Sequence, residues 1–269
     1  MMFTPAERKA IISLIKREVV PAIGCTEPMA VALCTARVRE TLGMLPERIE
    51  VRLSANILKN AMGVGIPGTG MIGLPIAIAL GAIAGRSEYG LEVLKDADAQ
   101  AVMQGKRYID EKRIAVSLKH GIDEKLYIEV EAAAGGHSAI AVIAGGHTAF
   151  VYLKRDDEVL LDSASGAAGD DTEEEPALTL RRVYDFAMTA PANEIEFILD
   201  SMRLNKAAAE RAFEGDYGHS LGRTLRSKRE LDIMGDSIFS RIIAYTAAAC
   251  DARMAGAMIP VMSNSGSGN

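Results

Sequence analysis

The sequence predicts an α+β fold in which a mainly helical body is interrupted by a small antiparallel β-rich insert. Apolar residues recur at helical spacing before Leu42 and again after Ala177. Between about 111 and 162, four strand-like runs are separated by turn residues such as Gly145-Gly146. Hydrophobic residues make up 49% of the 269 residues and charged residues 25%, which is the balance of a folded chain.

The first part, residues 1–110, is predicted to be mostly helical. Thr4 is placed to cap a helix from Pro5 to Val20, since threonine accepts from the first-turn N–H groups and proline suits that turn. A second helix is predicted from about Thr26 to Leu42. The remaining predicted elements are a strand at Glu47–Ser54, an apolar helix within Met71–Ala84 that is buried in protein, and an amphipathic helix at Tyr89–Ile109.

Two further boundaries divide the rest of the chain. The β-rich insert is predicted at 111–162, and the small, acidic stretch 163–176 is interpreted as an exposed linker. The last part, 177–269, returns to helices at about 178–190, 192–213 and 228–258. We expect it to pack against residues 1–110.

Charge and cysteine usage exclude several classes of protein. The formal charge of −6, without a basic stripe, argues against nucleic-acid binding. Met71–Ala84 would span roughly 21 Å as a helix, short of the ~30 Å apolar core of a membrane. Three widely spaced cysteines do not form a disulfide framework, and the charged N-terminus is not a signal peptide. Together these features favour a reducing, cytoplasmic location.

The corner from Pro21 to Pro28 carries the most informative cysteine. Cys25 directly precedes the predicted second helix, where unpaired N–H groups and the helix dipole favour negative charge. Such a position lowers the pKa of a thiol and makes the thiolate available as nucleophile or metal ligand. The carboxylate of Glu27 lies in the first turn of this helix, where negative charge is also favourable. A small buried cysteine without a chemical role is the alternative interpretation.

A Gly-rich segment, Ser54–Gly73, is the second candidate. Its glycines let the backbone approach a ligand, and Thr69 is placed to cap the following helix, whose N-terminus suits an anion. The segment lacks the Gly-Lys-Ser/Thr of a P-loop. A plain glycine hinge is the alternative interpretation.

The third candidate is Met262–Asn269, whose serine and asparagine side chains suit a carboxylate or an amine. Taken alone, this stretch is also typical of an expression linker. The four histidines are expected to be exposed or satisfied. Cys34 and Cys250 lie in apolar helical runs and are expected to be inert in the core. For Cys250, the following Asp251 and Arg253 leave a position that faces a site as the alternative interpretation.

These segments together resemble the serine dehydratase alpha-chain-like family. The runs GCTEP around Cys25, SANILKNAMGVGIPGTG from Ser54 and CDARMAGAMIPVMSNSGSGN from Cys250 occur in the family's order. The resemblance covers nearly the whole chain. The branch that it matches best is the L-cysteine desulfidase group, relatives of the iron–sulfur L-serine dehydratases.

The resemblance implies a lyase that converts L-cysteine or L-serine to pyruvate and ammonia, with sulfide from cysteine. In this family a 4Fe–4S cluster is held by three cysteines, and its open iron polarises the β-substituent while a base removes the α-proton. Cys25 is then the first cluster ligand, and the base is not identified. Candidate substrate-binding residues in the matching motifs are Asn56, Lys59, Asn60, Thr69, Asn264, Ser265, Ser267 and Asn269.

Family members continue beyond the SNSGSGN run, so the remaining cluster ligands are expected beyond residue 269. The 269 residues are accordingly expected to be an N-terminal fragment with no intact cluster and little activity. The expected partner is a small amino acid, with no nucleic acid and no membrane, and a homodimer is left open.

Two other functions fit the same residues. A pyridoxal-phosphate-dependent β-eliminating lyase would use Lys59 as the Schiff-base lysine and the Gly-rich segment for phosphate. A non-catalytic amino-acid-binding protein would use the β-rich insert as its sensing module.

Overall fold

The computed structural model describes residues 3–163 and 176–264, and the predicted α+β class is confirmed. The helices are α1 (Pro5–Glu18), α2 (Thr26–Leu42), α3 (Ala55–Ala61), α4 (Leu74–Ile83), α5 (Ala99–Asp110), α6 (Leu180–Thr189), α7 (Ala192–Ile195), α8 (Leu199–Glu214), α9 (Leu221–Leu225), α10 (Lys228–Met234) and α11 (Ile238–Met254). The strands are β1 (Val19–Ile23), β2 (Arg48–Leu53), β3 (Gly65–Ile66), β4 (Met71–Ile72), β5 (Ile114–Leu118), β6 (Tyr127–Ala134), β7 (His137–Ala144), β8 (Phe150–Arg155), β9 (Glu158–Asp162) and β10 (Pro260–Asn264).

The largest sheet has the strand order β5-β2-β6-β7-β8-β9. The prediction of a purely antiparallel insert is wrong, because β2 runs parallel to β5, with Ile49 opposite Ile114. Strand β2 belongs to the first part of the chain, yet it lies between β5 and β6 and pairs antiparallel with β6. The strands of 111–162 therefore share one sheet and one core with residues 1–110.

Helix α2 lies at the centre of this core. Its residues from Met29 to Ala36 are buried, and it packs against the sheet on one side and α4 on the other. The approach to α4 is close because Gly81 faces the backbone of Ala32, where a Cβ would lie 2.5 Å from the carbonyl oxygen. Small residues at this contact let two apolar helices meet without a gap. The expectation that the apolar segment is buried in protein is confirmed.

The C-terminal helices form a second, smaller cluster. Ala209 and Ala212 of α8 pack against Ala248 and Ala252 of α11. The two ends of the described chain are joined by an antiparallel ribbon in which Val20 of β1 lies opposite Ser263 of β10. This ribbon brings the last part of the chain against the first.

Several predicted helices are shorter or broken. Helix α1 has the predicted Thr4 cap but ends at Glu18, because the next residues form β1. The predicted helix Tyr89–Ile109 is a 3-10 segment followed by α5, since Gly90 has φ 54° and Asp98 caps a new helix start. The stretch 192–213 contains α7, a 3-10 turn and most of α8. The stretch 228–258 contains α10 and α11, and β10 follows it.

The domain boundaries of the sequence analysis stay predictions. The acidic stretch 163–176 lies almost entirely outside the described residues. Within the described ranges, no helix combines the length and apolar character needed to cross a membrane.

Candidate functional site

The cysteine corner, the Gly-rich segment and the end of α11 meet at one place, and Met262 of the third segment pairs with Pro21 of the corner. Gly24 touches the hairpin β3–β4, where a Cβ on this glycine would lie 2.6 Å from Pro67 Cγ. Gly65 of the hairpin faces the end of α11, where a Cβ would lie 2.7 Å from the carbonyl carbon of Ala255. The N–H of Gly68 donates to the carbonyl oxygen of Gly256 at 3.2 Å. The glycines are needed because a side chain at these contacts would meet backbone or a rigid ring.

A buried arginine fixes the same junction. The Nε atom of Arg253, near the end of α11, donates to the carbonyl oxygen of Gly24 at 2.9 Å. Only 4% of Arg253 is exposed. Its positive charge therefore lies beside the corner that carries Cys25, where little water screens it.

Cys25 is the N-cap residue of α2, as its position in the sequence predicts, and it is buried. Its Sγ atom lies 3.4 Å from Met254 Sδ. The expected lowering of its pKa is wrong for the chain as described: burial raises the pKa of the Cys25 thiol to about 11, although the charge of Arg253 opposes this. Desolvation outweighs the favourable position at the helix N-terminus, because a buried thiolate loses its hydration.

Cys250 lies closer to this centre than its sequence suggests. Cys250 contributes to the raised pKa of Cys25, so the two thiols interact electrostatically. Cys250 also lines a cavity of about 410 Å³ between α8 and α11, together with Arg253. Cys34, in contrast, lies in the main core with its Sγ atom 3.4 Å from the carbonyl oxygen of Ala141.

A carboxylate and a histidine lie next to the cysteine corner. Glu27 Oε1 accepts from the side-chain amide of Asn60 at 3.2 Å. Burial lowers the pKa of His147, and the negative charge of Glu27 opposes this, so the two side chains interact electrostatically. A neutral histidine beside a carboxylate is a common arrangement for proton transfer.

Sequence reasoning missed His147 because its electrostatic interaction with Glu27 joins distant parts of the chain. The only signal was the preceding Gly145-Gly146 pair, in which Gly145 has φ 76° and turns the chain after β7. This turn places His147 in the wall of a cavity of about 440 Å³, with Val20 and Leu91 on another side.

The other predicted site residues are more scattered. Asn56, Lys59 and Asn60 are exposed on α3, and Asn264 is exposed at the end of β10. An exposed Lys59 does not suit a Schiff-base lysine, which needs a desolvated or cationic environment to lose its proton. Ser265, Ser267 and Asn269 lie outside the described residues.

Thr69 does not cap a helix. Its hydroxyl donates to the carbonyl oxygen of Ile66 at 2.7 Å and accepts from the N–H of Met71 at 2.9 Å, which closes the β3–β4 turn. Gly73 is the N-cap of α4.

The side chains around the cysteine corner do not meet the needs of a 4Fe–4S cluster. Among residues 3–163 and 176–264, no group of three or more His, Cys, Asp or Glu side chains is arranged to hold a metal ion. The thiols near the site are those of Cys25 and Cys250, whereas three cysteines are required. These residues alone therefore do not fit the cluster.

Comparison with known proteins gives one family model and a set of close relatives. The model for the serine dehydratase alpha chain matches residues 88–269. A UPF0597 protein of Bacteroides fragilis is 67% identical over 266 residues, which cover 99% of this chain and 62% of that protein. UPF0597 proteins of Bacteroides thetaiotaomicron and Aeromonas hydrophila are 68% and 45% identical, over 98% and 96% of this chain and 62% and 59% of theirs.

The chain thus spans about 62% of the length of the first of these relatives. No solved structure matches it.

Proposed function

The chain belongs to the serine dehydratase alpha-chain family, and we propose that the whole protein is a lyase that eliminates the β-substituent of a small amino acid. Membership confirms the family expected from the sequence and supports a role in amino-acid catabolism. The substrates proposed are L-cysteine and L-serine. The products are pyruvate and ammonia, with sulfide from cysteine.

The cofactor in this proposal is a 4Fe–4S cluster, with Cys25 as one ligand and the others beyond residue 269. When bound, the cluster supplies a Lewis acid for the β-substituent. Because the described residues do not complete its site, the steps derived below are those of this chain's own side chains.

The first of these steps is removal of the α-proton, which the sequence analysis left without a base. We assign it to His147. Burial lowers the pKa of this imidazole, so the ring is neutral at physiological pH and its free nitrogen can accept a proton. Glu27 lies close enough to stabilise the imidazolium that results, which keeps the proton on the ring while the β-substituent leaves.

Asn60 has a positioning role in this scheme. Its amide donates to Glu27 Oε1, while Glu27 Oε2 accepts from the hydroxyl of Thr26 at 3.3 Å, so both contacts orient the carboxylate. Asn56, Lys59, Asn264, Ser265, Ser267 and Asn269 stay proposed contacts for the amino-acid carboxylate and amine. Thr69 is the weakest of the proposed contacts, since its hydroxyl is engaged within the hairpin.

The surroundings of Cys25 favour a thiol over a hydroxyl on the substrate. The side chain of Met254 touches Cys25, and Cys250 lies nearby. A sulfur-lined wall is polarisable and provides only weak hydrogen-bond partners, so it accommodates an –SH group at lower cost than an –OH group. Among the two proposed substrates, L-cysteine is therefore the better fit.

The observation that carries the proposal is the electrostatic interaction of His147 with Glu27, which lies in the corner that carries Cys25. The test is an anaerobic assay of the full-length protein, with pyruvate and sulfide measured from both amino acids. His147→Asn and Cys25→Ala are expected to abolish most turnover. His137→Asn serves as the matched control, because His137 is an exposed partner of Asp156 at 2.9 Å on the same sheet.

Full activity in the His147→Asn protein would contradict the assignment of His147 as the base. Full activity and full iron content in the Cys25→Ala protein would contradict Cys25 as a cluster ligand. A cytoplasmic location is also part of the proposal, and a homodimer stays open.

A further inference from the structure

The cavity of about 410 Å³ is bounded by α8, α11 and β10. Its mouth lies at Met202 and Lys206 of α8, whose side chains are exposed. Its floor is formed by Val261 and Arg253, which are both buried. None of the described residues assigned to the lyase reaction lines this cavity, so the proposed function does not account for it.

The walls of the cavity are mostly apolar. Met202, Ala249 and Met262 line it, together with the ring of Tyr245. That ring packs edge-to-face on Phe213, with 5.1 Å between the ring centroids. The volume lies near the small end of the range for sites that bind small molecules. Walls of this kind favour a ligand with a short apolar body, whose burial releases water from both surfaces.

Both charged side chains in the lining are cations, those of Lys206 and Arg253. Arg253 is buried at the floor, where its Nε atom donates to the carbonyl oxygen of Gly24. Asn205 also lines the cavity, and its side-chain oxygen accepts from the N–H of Met262 at 2.9 Å. Because this bond uses the oxygen, the group that Asn205 can offer to a ligand is its NH2 donor.

Among residues that the structure describes, no carboxylate lines the cavity. Nearby carboxylates have partners elsewhere. Glu210 lies 3.6 Å from Lys206 Nζ at the surface, and Asp251 Oδ2 accepts from the N–H of Gly222 at 2.9 Å. Glu27 accepts from the side chains of its own corner and of α3. A negatively charged ligand therefore meets positive charge in the lining and no opposing carboxylate.

We propose that this cavity binds a monocarboxylate with a short apolar chain, with the carboxylate at the floor beside Arg253 and the chain along the apolar walls. A guanidinium forms charge-assisted hydrogen bonds with carboxylate oxygens. A phosphate ester or a nucleotide fits less well, because it would bring more charge and less apolar surface into the cavity. Since Arg253 also holds the carbonyl of Gly24, the ligand contacts the residue that fixes the cysteine corner. The site goes beyond the proposed lyase function and does not depend on it.

The probe is octanoate, titrated by calorimetry into the full-length protein and into the 269-residue chain. Both are expected to bind one equivalent, with a Kd on the order of 0.1 mM. Acetate has the carboxylate without the chain, and 1-octanol has the chain without the carboxylate. Each is expected to bind at least about tenfold more weakly than octanoate, because it uses only one part of the site.

Two variants locate the ligand. Lys206→Glu puts a negative charge at the mouth and is expected to weaken octanoate binding about tenfold, since like charges repel. Its matched control is Arg203→Glu, because Arg203 is exposed on α8, pairs with Asp200 at 2.6 Å and does not line the cavity. Ala249→Phe fills the cavity and is expected to abolish binding, with Ala207→Phe, exposed on α8 outside the cavity, as its control. Circular dichroism and melting temperature verify that each variant folds.

The inference is overturned if the full-length protein does not bind octanoate. Binding by the 269-residue chain alone would mean that the rest of the protein fills the cavity. Equal affinities for octanoate and 1-octanol would contradict recognition of the carboxylate. Equal affinities of Lys206→Glu and Arg203→Glu for octanoate would place the ligand elsewhere. Turnover is not measured in these titrations, so their failure would leave the lyase proposal standing.

Discussion

The guanidinium of Arg253 donates a hydrogen bond to the carbonyl oxygen of Gly24 at 2.9 Å, and 229 positions of sequence separate the two residues. This contact joins the end of α11 to the corner that precedes α2. Both residues are buried, so the bond forms away from water. Together with the contact between Cys25 and Met254, it links the cysteine corner directly to α11.

Arg253→Met is expected to destabilise the chain by about 1.5–3 kcal/mol, since a buried carbonyl loses a charged donor. Urea unfolding measures the change. Arg241→Met is the matched control: Arg241 pairs with Asp236 at 2.7 Å on the surface, where water screens the pair, so its loss is expected to change stability less than the loss of Arg253. Equal losses in the two variants would mean that the Arg253 contact contributes no more than a surface pair.

Gly65→Ala is expected to destabilise the chain by about 1–3 kcal/mol, because the added methyl group would lie 2.7 Å from the backbone of Ala255. Gly63→Ala, two residues earlier, is the control, since nothing lies within 4 Å of its added methyl group. It is expected to change stability by less than about 0.5 kcal/mol. Thermal unfolding of the two variants compares them directly, and a harmless Gly65→Ala would contradict the close contact.

The buried thiol of Cys25 makes stability depend on alkaline pH. Its pKa rises from 9.0 to about 11 on folding, so between these values the unfolded chain loses a proton that the folded chain keeps. The stability that this group contributes is present below pH 9 and is lost as the pH rises towards 11. From pH 8 to pH 10, wild type is expected to lose about 1 kcal/mol more than Cys25→Ala.

Urea unfolding at the two pH values measures this difference. Cys25→Ala is the reference because the other titrating groups, including Cys34, are present in both proteins. An identical loss in wild type and in Cys25→Ala would contradict a raised pKa for Cys25.

The assignment of His147 predicts the pH dependence of turnover by the full-length protein. Because the base must be neutral and burial lowers its pKa, kcat/KM is expected to fall only below the ordinary histidine value of 6.5. Asn60→Asp adds a second carboxylate next to Glu27, which stabilises the imidazolium. It is expected to move this acidic limb to higher pH.

Gln104→Glu adds the same charge to the exposed face of α5 and is the control for Asn60→Asp. Its acidic limb is expected to coincide with that of wild type. An Asn60→Asp profile that also coincides with wild type would exclude a base close to Glu27.

Local signals in the chain were sufficient for many of the elements. Helix α2 begins at Thr26 and ends at Leu42 as predicted, where Gly43 adopts φ 81°. The Thr4 cap and the N-cap position of Cys25 were also correctly placed. Capping and helical periodicity depend on residues within one or two turns of each other, so they can be read from a short window.

Pairing between distant segments could not be read in this way. The parallel pairing of β2 with β5 and the ribbon of β1 with β10 depend on which apolar faces find each other across the whole chain. The pattern of residues 111–162 indicated strands but not the partner that lies among them. Periodicity indicates that one face of an element is buried, but it does not indicate which other element covers that face.

The chemistry of the site divides in the same way. Family motifs identified Cys25 as the residue of interest, and the backbone position followed from the proline and glycine around it. The direction of its pKa was wrong from the sequence, because the burial that raises it depends on packing against distant residues such as Met254, 229 positions away. Folding brings Glu27 to His147 and Cys25 to Cys250, since burial and proximity are properties of the packed chain and of no single segment.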